Sequence, residues 1–167
     1  MAELNSSEML ATVEYEANRL YEASRDGNLE EVRRILVDDS VDINFPIHDG
    51  LTALQHAAES GHLEVVQELI DRGADPNKQD EEGETALNYA AANGHLDVVR
   101  GLLEAGTNPN NQDEFGKTAL HWAVWSGKPE VFLAIVASGG DPNIVDNGGK
   151  TAVQRAHEHG LGVPVSQ

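Results

Sequence analysis

The sequence predicts an all-α repeat solenoid, in which helix–turn–helix units stack side by side and each is followed by a protruding loop. Three observations predict it. Thr52, Thr85, Thr118 and Thr151 recur at a constant step of 33 residues. Gly50, Gly61, Ala57 and Asn44 each begin a series with the same step, ending at Gly149, Gly160, Ala156 and Asn143. Between these markers the apolar residues fall at helical rather than strand spacing. A unit of this size cannot bury its apolar face alone, so neighbours must stack. The product is an extended surface suited to binding, with no single central pocket for chemistry.

The elements follow in chain order. Met9, Leu10, Val13, Ala17 and Leu20 keep helical spacing, and Asn5 with Glu8 fits a helix-start pair. An amphipathic N-terminal helix is expected, with Glu8, Glu14, Glu16 and Glu22 facing solvent. It runs into a degenerate unit over 17–44, where Ala23, Gly27 and Asn28-Leu29-Glu30-Glu31-Val32 echo the repeat with one extra residue. In the first full unit Thr52 can cap a short helix whose small face is Ala57 and Ala58, allowing a second helix to approach closely. Gly61 ends that helix, since glycine takes a left-handed angle at little cost. Leu63, Val66, Leu69 and Ile70 form the stripe of the second helix, and Pro129 opens the equivalent helix two units later, where a missing N–H does no harm. Gly73, Gly106 and Gly139 end these second helices. The turn-rich run from Asp75-Pro76-Asn77 to Asp80-Glu81-Glu82-Gly83 projects as a loop or β-hairpin finger. The expected division is one domain over 1–167: an N-terminal helix and capping repeat at 5–47, full repeats at 48–79, 80–112 and 113–145, a partial C-terminal cap at 146–160 and a tail at 161–167. Gly160-Leu161-Gly162-Val163-Pro164 cannot continue as helix, and the sequence leaves open whether this is a short cap or the edge of a longer chain.

Aligned, the units read GLTALQHAAESGHLEVVQELIDRGADPN, GETALNYAAANGHLDVVRGLLEAGTNPN and GKTALHWAVWSGKPEVFLAIVASGGDPN, then GKTAVQRAHEHG. They resemble the ankyrin repeat, whose core is T-P-L-H-x-A, Gly-His, a second apolar helix and a Gly-Ala-Asp-x-Asn turn. The resemblance spans 17–160. The chain departs from the motif in three ways. Ala53, Ala86, Ala119 and Ala152 stand where the motif has proline. The motif histidine survives only as His121, replaced elsewhere by Gln55, Asn88 and Gln154. Proline precedes the turn asparagine at Pro76, Pro109 and Pro142. Each departure is expected to loosen a local hydrogen bond without abolishing the unit.

The resemblance implies a binding surface made of the finger tips and the concave face of each first helix. The finger positions are His48, Asp49 and Leu51; Glu81, Glu82 and Glu84; Glu114, Phe115 and Lys117; and Asn147 and Lys150. The helix positions are Glu59 and Ser60, Ala92 and Asn93, Trp125 and Ser126, and Glu158 and His159. Phe115 and Trp125 are large aromatics where exposure is expected, and such residues concentrate binding energy. They fall in one unit and are expected to lie close together. Trp122 follows the motif histidine and is read as core, with a cost of about 3–5 kcal/mol on truncation to Ala. By the same resemblance His62 and His95 belong to the inter-helix turn, and His121 bonds local backbone.

Charge and composition narrow the function further. Acids outnumber bases 29 to 11, giving a net charge of −18. That field repels nucleic acid and anionic membranes and steers a basic partner inward. Asp80, Glu81, Glu82 and Glu84 crowd one finger, so a partner with a basic patch would face the middle of the array. The alternative is that the acid only keeps the chain soluble. No cysteine is present, no run of 18 apolar residues occurs and no basic-then-apolar signal opens the chain, which together favour a cytoplasmic or nuclear setting. Asn5-Ser6-Ser7 is a chance glycosylation match in that setting. His157 and His159 point to different faces of a helix. The acids near Asp80 lack the calcium-loop pattern, and no nucleophile elbow or phosphate loop is present. No enzyme activity, cofactor or metal is therefore expected. The expected role is a protein-binding adaptor, scaffold or stoichiometric inhibitor. A small-ligand or modified-peptide sensor and a structural spacer are the alternatives. Ala152, Val153 and Ala156 would turn inward while Gln154, Arg155, His157 and Glu158 face out, which favours a monomer.

Overall fold

The structure is a computed structural model that describes residues 6–160, with side chains described from residue 9. Nine α-helices occur among these residues: α1 (Ser6–Arg25), α2 (Leu29–Ile35), α3 (Ala53–Ser60), α4 (Leu63–Asp71), α5 (Ala86–Asn93), α6 (Leu96–Glu104), α7 (Ala119–Ser126), α8 (Pro129–Ala137) and α9 (Ala152–Glu158). Helices α1, α3, α5, α7 and α9 stack in one row, and α2, α4, α6 and α8 stack in a second row behind it. Among the described residues there is no extended strand. The fingers are tight turns, with one antiparallel bridge between Val145 and Thr151.

Helices of eight or nine residues are too short to hold alone, so caps and packing must hold them. Thr52 receives the Gln55 amide at 3.3 Å and gives its own amide to Gln55 Oε1 at 2.7 Å. Thr85, Thr118 and Thr151 repeat this reciprocal cap. Beneath the caps the core repeats with the sequence. Leu54, Leu87 and Leu120 are fully buried, as are Leu69, Leu102 and Ile135, and Val66, Val99 and Phe132 fill a third series. Ala57, Ala90 and Ala123 lie between them with essentially no exposed surface. Small side chains there bring the two rows together.

Neighbouring units are joined by a polar ladder. Asn44 Oδ1 accepts the Asp75 amide, Asn77 Oδ1 the Asn108 amide and Asn110 Oδ1 the Asp141 amide, each at 2.8 Å. The periodic asparagine is thus a staple to the next unit. His62 and His95 tie in the opposite direction, with Nε2 2.9 Å from the Arg25 and Glu59 carbonyls. They do more than shape a turn: each seats on the glycine of the preceding unit. Gly61 has φ +81°, and a Cβ there would stand 2.7 Å from the His95 ring. Glycine is required at that position twice over, by the left-handed backbone and by the close approach. In the next unit Lys128 replaces the histidine and donates Nζ to the Gly94 carbonyl at 3.0 Å.

The N-terminal expectation holds in part. Ala17, Leu20 and Ala23 are buried, whereas Met9 and Leu10 are 58% and 55% exposed. At 1.5 Å per residue the 20-residue α1 far outreaches the eight-residue α3 beside it. Its first turns overhang, so the sequence stripe runs on past the surface available to cover it. Asn5, and with it the helix-start pair and the glycosylation match, lies outside the described residues, as does the tail after Gly160.

Candidate functional site

The fingers and the first helices enclose a trough, and one recurring lock shapes it. Asp80 closes its finger by accepting the Glu82 and Glu84 amides on Oδ1, both at 2.9 Å. Its Oδ2 accepts the Tyr89 hydroxyl from α5 at 2.7 Å. Asp113 does the same for the Phe115 and Lys117 amides, with Trp122 Nε1 donating to Oδ2 at 3.0 Å. Asp146 does it for Gly148 and Lys150, with Arg155 Nε at 2.7 Å. Although burial opposes ionisation, the Lys150 amide and the Arg155 guanidinium hold the Asp146 carboxyl below its usual range. Sequence reasoning missed this lock. Its signal was available, since Asp80, Asp113 and Asp146 keep the 33-residue step, each nine residues before its donor.

The lock corrects the reading of Trp122. That side chain is half-buried rather than core: its indole N–H is fixed on Asp113, and Lys117 Nζ lies 4.4 Å from its ring centroid. The position carries His56, Tyr89, Trp122 and Arg155 in successive units, so it faces the trough and tolerates polar groups. The first finger lacks the lock because Ile47 stands where the aspartate would be. There the chain forms a single 3₁₀ turn, His48–Gly50, with Asp49 at φ +59°.

Most of the sequence-derived surface residues are displayed. Asp49, Glu59, Glu81, Glu82, Asn93, Glu114 and Asn147 are exposed, and Ser60, Ala92, Lys117, Ser126 and Lys150 are half-exposed. Glu158 and His159 are exposed at the far end, where Glu158 pairs with Lys150. Phe115 is 47% and Trp125 73% exposed. Leu51 and Glu84 differ from expectation: both are 8% exposed. They occupy the strand-like return of the finger just before the threonine cap, where the backbone turns into the core. Burial pushes the Glu84 carboxyl up, with Asp80 adding to the effect, while the Tyr89 hydroxyl holds it down. Burial and the Asp80 carboxylate in turn push the Tyr89 phenol up.

Phe115 and Trp125 make separate contacts. Lys117 Nζ lies 5.3 Å from the Phe115 ring centroid and so bridges Phe115 to Trp122, while Trp125 sets an edge against His159 at 6.4 Å. Trp125 lines a cavity of about 250 Å³ with Trp122, His121, Lys117 and Arg155. A second cavity of about 410 Å³ lies under the first two fingers, lined by Tyr21, His56, Glu59, Glu81 and Tyr89 among others. The first full unit's motif-position Gln55 spans to the Glu84 carbonyl at 2.8 Å, and His121 to the Lys150 carbonyl at 3.1 Å. His121 thus bonds its own cap and the next finger together. Burial lowers the His121 pKa and lowers that of His56 to about 4, leaving both rings neutral at neutral pH.

Among the described residues no cluster of His, Asp and Glu could hold a metal ion, and no helix is long and apolar enough to cross a membrane. A comparison with curated proteins gave no match. The family model for ankyrin repeats in many copies matches residues 20–67, 54–103 and 93–134. Such repeats are generally protein–protein interaction modules and typically lack enzyme activity. With the stacked helix pairs, the capped short helices and the projecting fingers already in place, this chain belongs to the ankyrin-repeat family.

Proposed function

We propose that the chain is a non-enzymatic module that holds a protein partner in the trough between its fingers and first helices, as adaptor, scaffold or stoichiometric inhibitor. The observation that carries this reading is Trp125, which is 73% exposed on α7 at the wall of a cavity that also contains Trp122. A large exposed aromatic beside a recess is the usual form of an interface anchor. Phe115 is the second anchor, and Lys117 orients the partner between them. The acidic finger at Glu81 and Glu82 steers a partner with a basic patch, consistent with the net charge of −18. The same field disfavours nucleic acid and anionic membrane surfaces. The reading includes a monomer that works in the cytoplasm or nucleus without a cofactor, and repeats that divide at 48–79, 80–112 and 113–145. A preformed trough asks little ordering of the chain on binding.

The test is paired affinity capture from native lysate. One bait is the wild-type chain, and the other carries Phe115→Ala and Trp125→Ala. Both baits should melt alike, because Trp125 is mostly in solvent, with a stability change within about 0.5 kcal/mol. Trp122→Ala should cost about 2 kcal/mol, between a surface and a core truncation. A protein kept by the first bait and lost by the second supports the reading. Identical capture by both baits would move the interface away from these aromatics. Capture of nothing by either would favour a small-ligand sensor or a spacer.

A further inference from the structure

We infer that the cavity under the first two fingers receives one basic side chain, lysine or arginine, from an extended segment of a protein partner. The inference rests on the reading of the trough as a protein-binding surface, and it assigns a chemistry to one part of it. The cavity, about 410 Å³, is lined by the carboxylates of Asp49, Glu59, Glu81 and Glu82, all exposed. Among the described residues no lysine or arginine forms an ion pair with any of the four; Glu59 faces His56 alone, and the other ten ion-pair contacts lie elsewhere. The fold has therefore left this group of charges uncompensated. Asp80, by contrast, is committed to its finger and to Tyr89.

A second observation, on the histidine that lines the cavity beside these acids, points to the same guest. His56 lines the cavity and is only 9% exposed, yet its Nε2 has no hydrogen-bond partner. Its Nδ1 faces Glu59 Oε2 at 3.4 Å. A carboxylate can only accept, so this contact favours the proton on Nδ1, and Nε2 stays buried as an acceptor without a donor. Buried polar atoms in native proteins are nearly always paired, and one that is not calls for an explanation. Every polar side-chain group so far named in the cavity offers a lone pair, and Arg25, whose charge reaches His56, is paired with Asp26 and stands outside the lining, so the cavity itself is left to a cationic donor. Tyr21 and Tyr89 add aromatic walls. Tyr21 already accepts a guanidinium from its own chain, with the Arg25 carbon 5.6 Å from the ring centroid. A metal ion does not fit, since no ligand cluster is formed among the described residues. The volume holds an alkyl-ammonium or guanidinium head with its waters, and the open trough admits the backbone that carries it.

The test uses the full chain and four blocked peptides: acetyl-Gly-Gly-Arg-Gly-Gly-amide, its lysine form, and forms with the neutral isosteres citrulline and norleucine. Each is titrated to millimolar concentration while amide shifts are followed by NMR at constant ionic strength. The expected result is binding by the arginine or the lysine peptide, with shifts centred on Tyr21, His56, Glu59, Glu81 and Tyr89 and none with the isosteres. Which of the two binds names the cation. Glu59→Gln with Glu81→Gln should weaken binding about tenfold. Glu64→Gln with Glu104→Gln, the same charge change on exposed positions of α4 and α6, should weaken it less than about twofold. The inference is overturned if no cationic peptide binds, if the isosteres bind as well, or if both charge pairs weaken binding alike. Because the probe is a peptide and the readout is residue-specific, this result is separate from the capture experiment. Failure of the Phe115 and Trp125 anchors with an intact arginine titration would overturn the anchors alone.

Discussion

The two cavities along the trough are built from the same positions of the repeat, two periods apart, and yet they have opposite chemistry. Leu51, His56, Glu59, Asp80 and Tyr89 line the first, and Lys117, Trp122, Trp125, Asp146 and Arg155, each 66 residues later, line the second. The finger aspartate is constant, because it closes a turn and accepts from a helix in both. Everything that touches only the trough has changed: a carboxylate at Glu59 becomes an indole at Trp125, Asp49 becomes Phe115, and Glu81 becomes Asn147. The repeat constrains the residues that make the frame and leaves the rest free to be chosen by what binds. The first cavity is acidic and the second aromatic and cationic, so a partner of the kind proposed above would be oriented along the trough by charge as well as by shape.

If the frame is common to both cavities, a cut between them should cost the most. Leu87 on α5 has no exposed surface and is flanked in the stack by Leu54 and Leu120. Leu87→Ala should lower the unfolding free energy by about 2–5 kcal/mol in urea titration. Because each unit is stabilised mainly by its neighbours, both cavities should be lost in one transition. A loss under about 1 kcal/mol would show that the stack closes around the gap and that the cavities are framed separately.

Acid separates one matched position of the two cavities next. His56 in the first has its pKa lowered to about 4, chiefly by burial, with Arg25 and His48 adding to the effect and Asp49 opposing it. Its counterpart in the second, Trp122, cannot titrate. In the unfolded chain His56 binds a proton near pH 6.5, whereas in the fold it stays neutral until about pH 4. Stability from this group is therefore complete above 6.5, falls as the pH drops from 6.5 to 4, and is then constant. The loss is about 3 kcal/mol over the whole window. His121 titrates in the same direction, so the measurement is a difference: wild type should lose more melting temperature between neutral pH and pH 4 than His56→Leu. Equal slopes would mean that the ring is hydrated and that its burial has no energetic consequence.

How much of this was legible follows from the same division. The period, the threonine caps, the terminating glycines and the helix-opening Pro129 are set by local rules that any one unit obeys, and all of them were readable. Exposure of Trp125 and Phe115 was readable too, since both sit at positions that face away from the stack. Trp122 was misread because an aromatic beside a buried leucine looks like core until its N–H is seen on Asp113, a contact made by the fold of the finger. Leu51 and Glu84 were misread for the converse reason, as finger residues whose backbone has already turned inward. The acids of the first cavity, Asp49, Glu59, Glu81 and Glu82, were readable as finger and helix positions, but their closure into a cavity was not. It needs Tyr21 from α1 to close over His56, with ring centroids 4.2 Å apart, across a gap in sequence that no periodicity spans.

The smallest expected effect concerns the unit between the cavities, and here the sequence raised the right question. Gln55 and His121 each reach the carbonyl of the next finger, tying the floor of one cavity to its far wall. Asn88 stands at the same position but is one methylene shorter than glutamine. Its Oδ1 still accepts from the Thr85 amide at 3.3 Å, while its Nδ2 is buried without a partner. By the repeat, the absent acceptor is the Lys117 carbonyl. That oxygen already receives the Asp113 amide at 3.0 Å, just as the Glu84 carbonyl receives Asp80 at 3.1 Å while also serving Gln55. One lone pair is therefore free. Asn88→Gln should supply the donor at the right reach and raise stability by about 1 kcal/mol, the net worth of one buried hydrogen bond less the cost of ordering a longer side chain. Asn88→His should act likewise, since His121 makes this bond one unit later. Chemical denaturation of the three proteins side by side measures the gain. If neither variant gains, a water already fills the gap at Nδ2, and the joint between the two cavities is as tight as the joints beneath them.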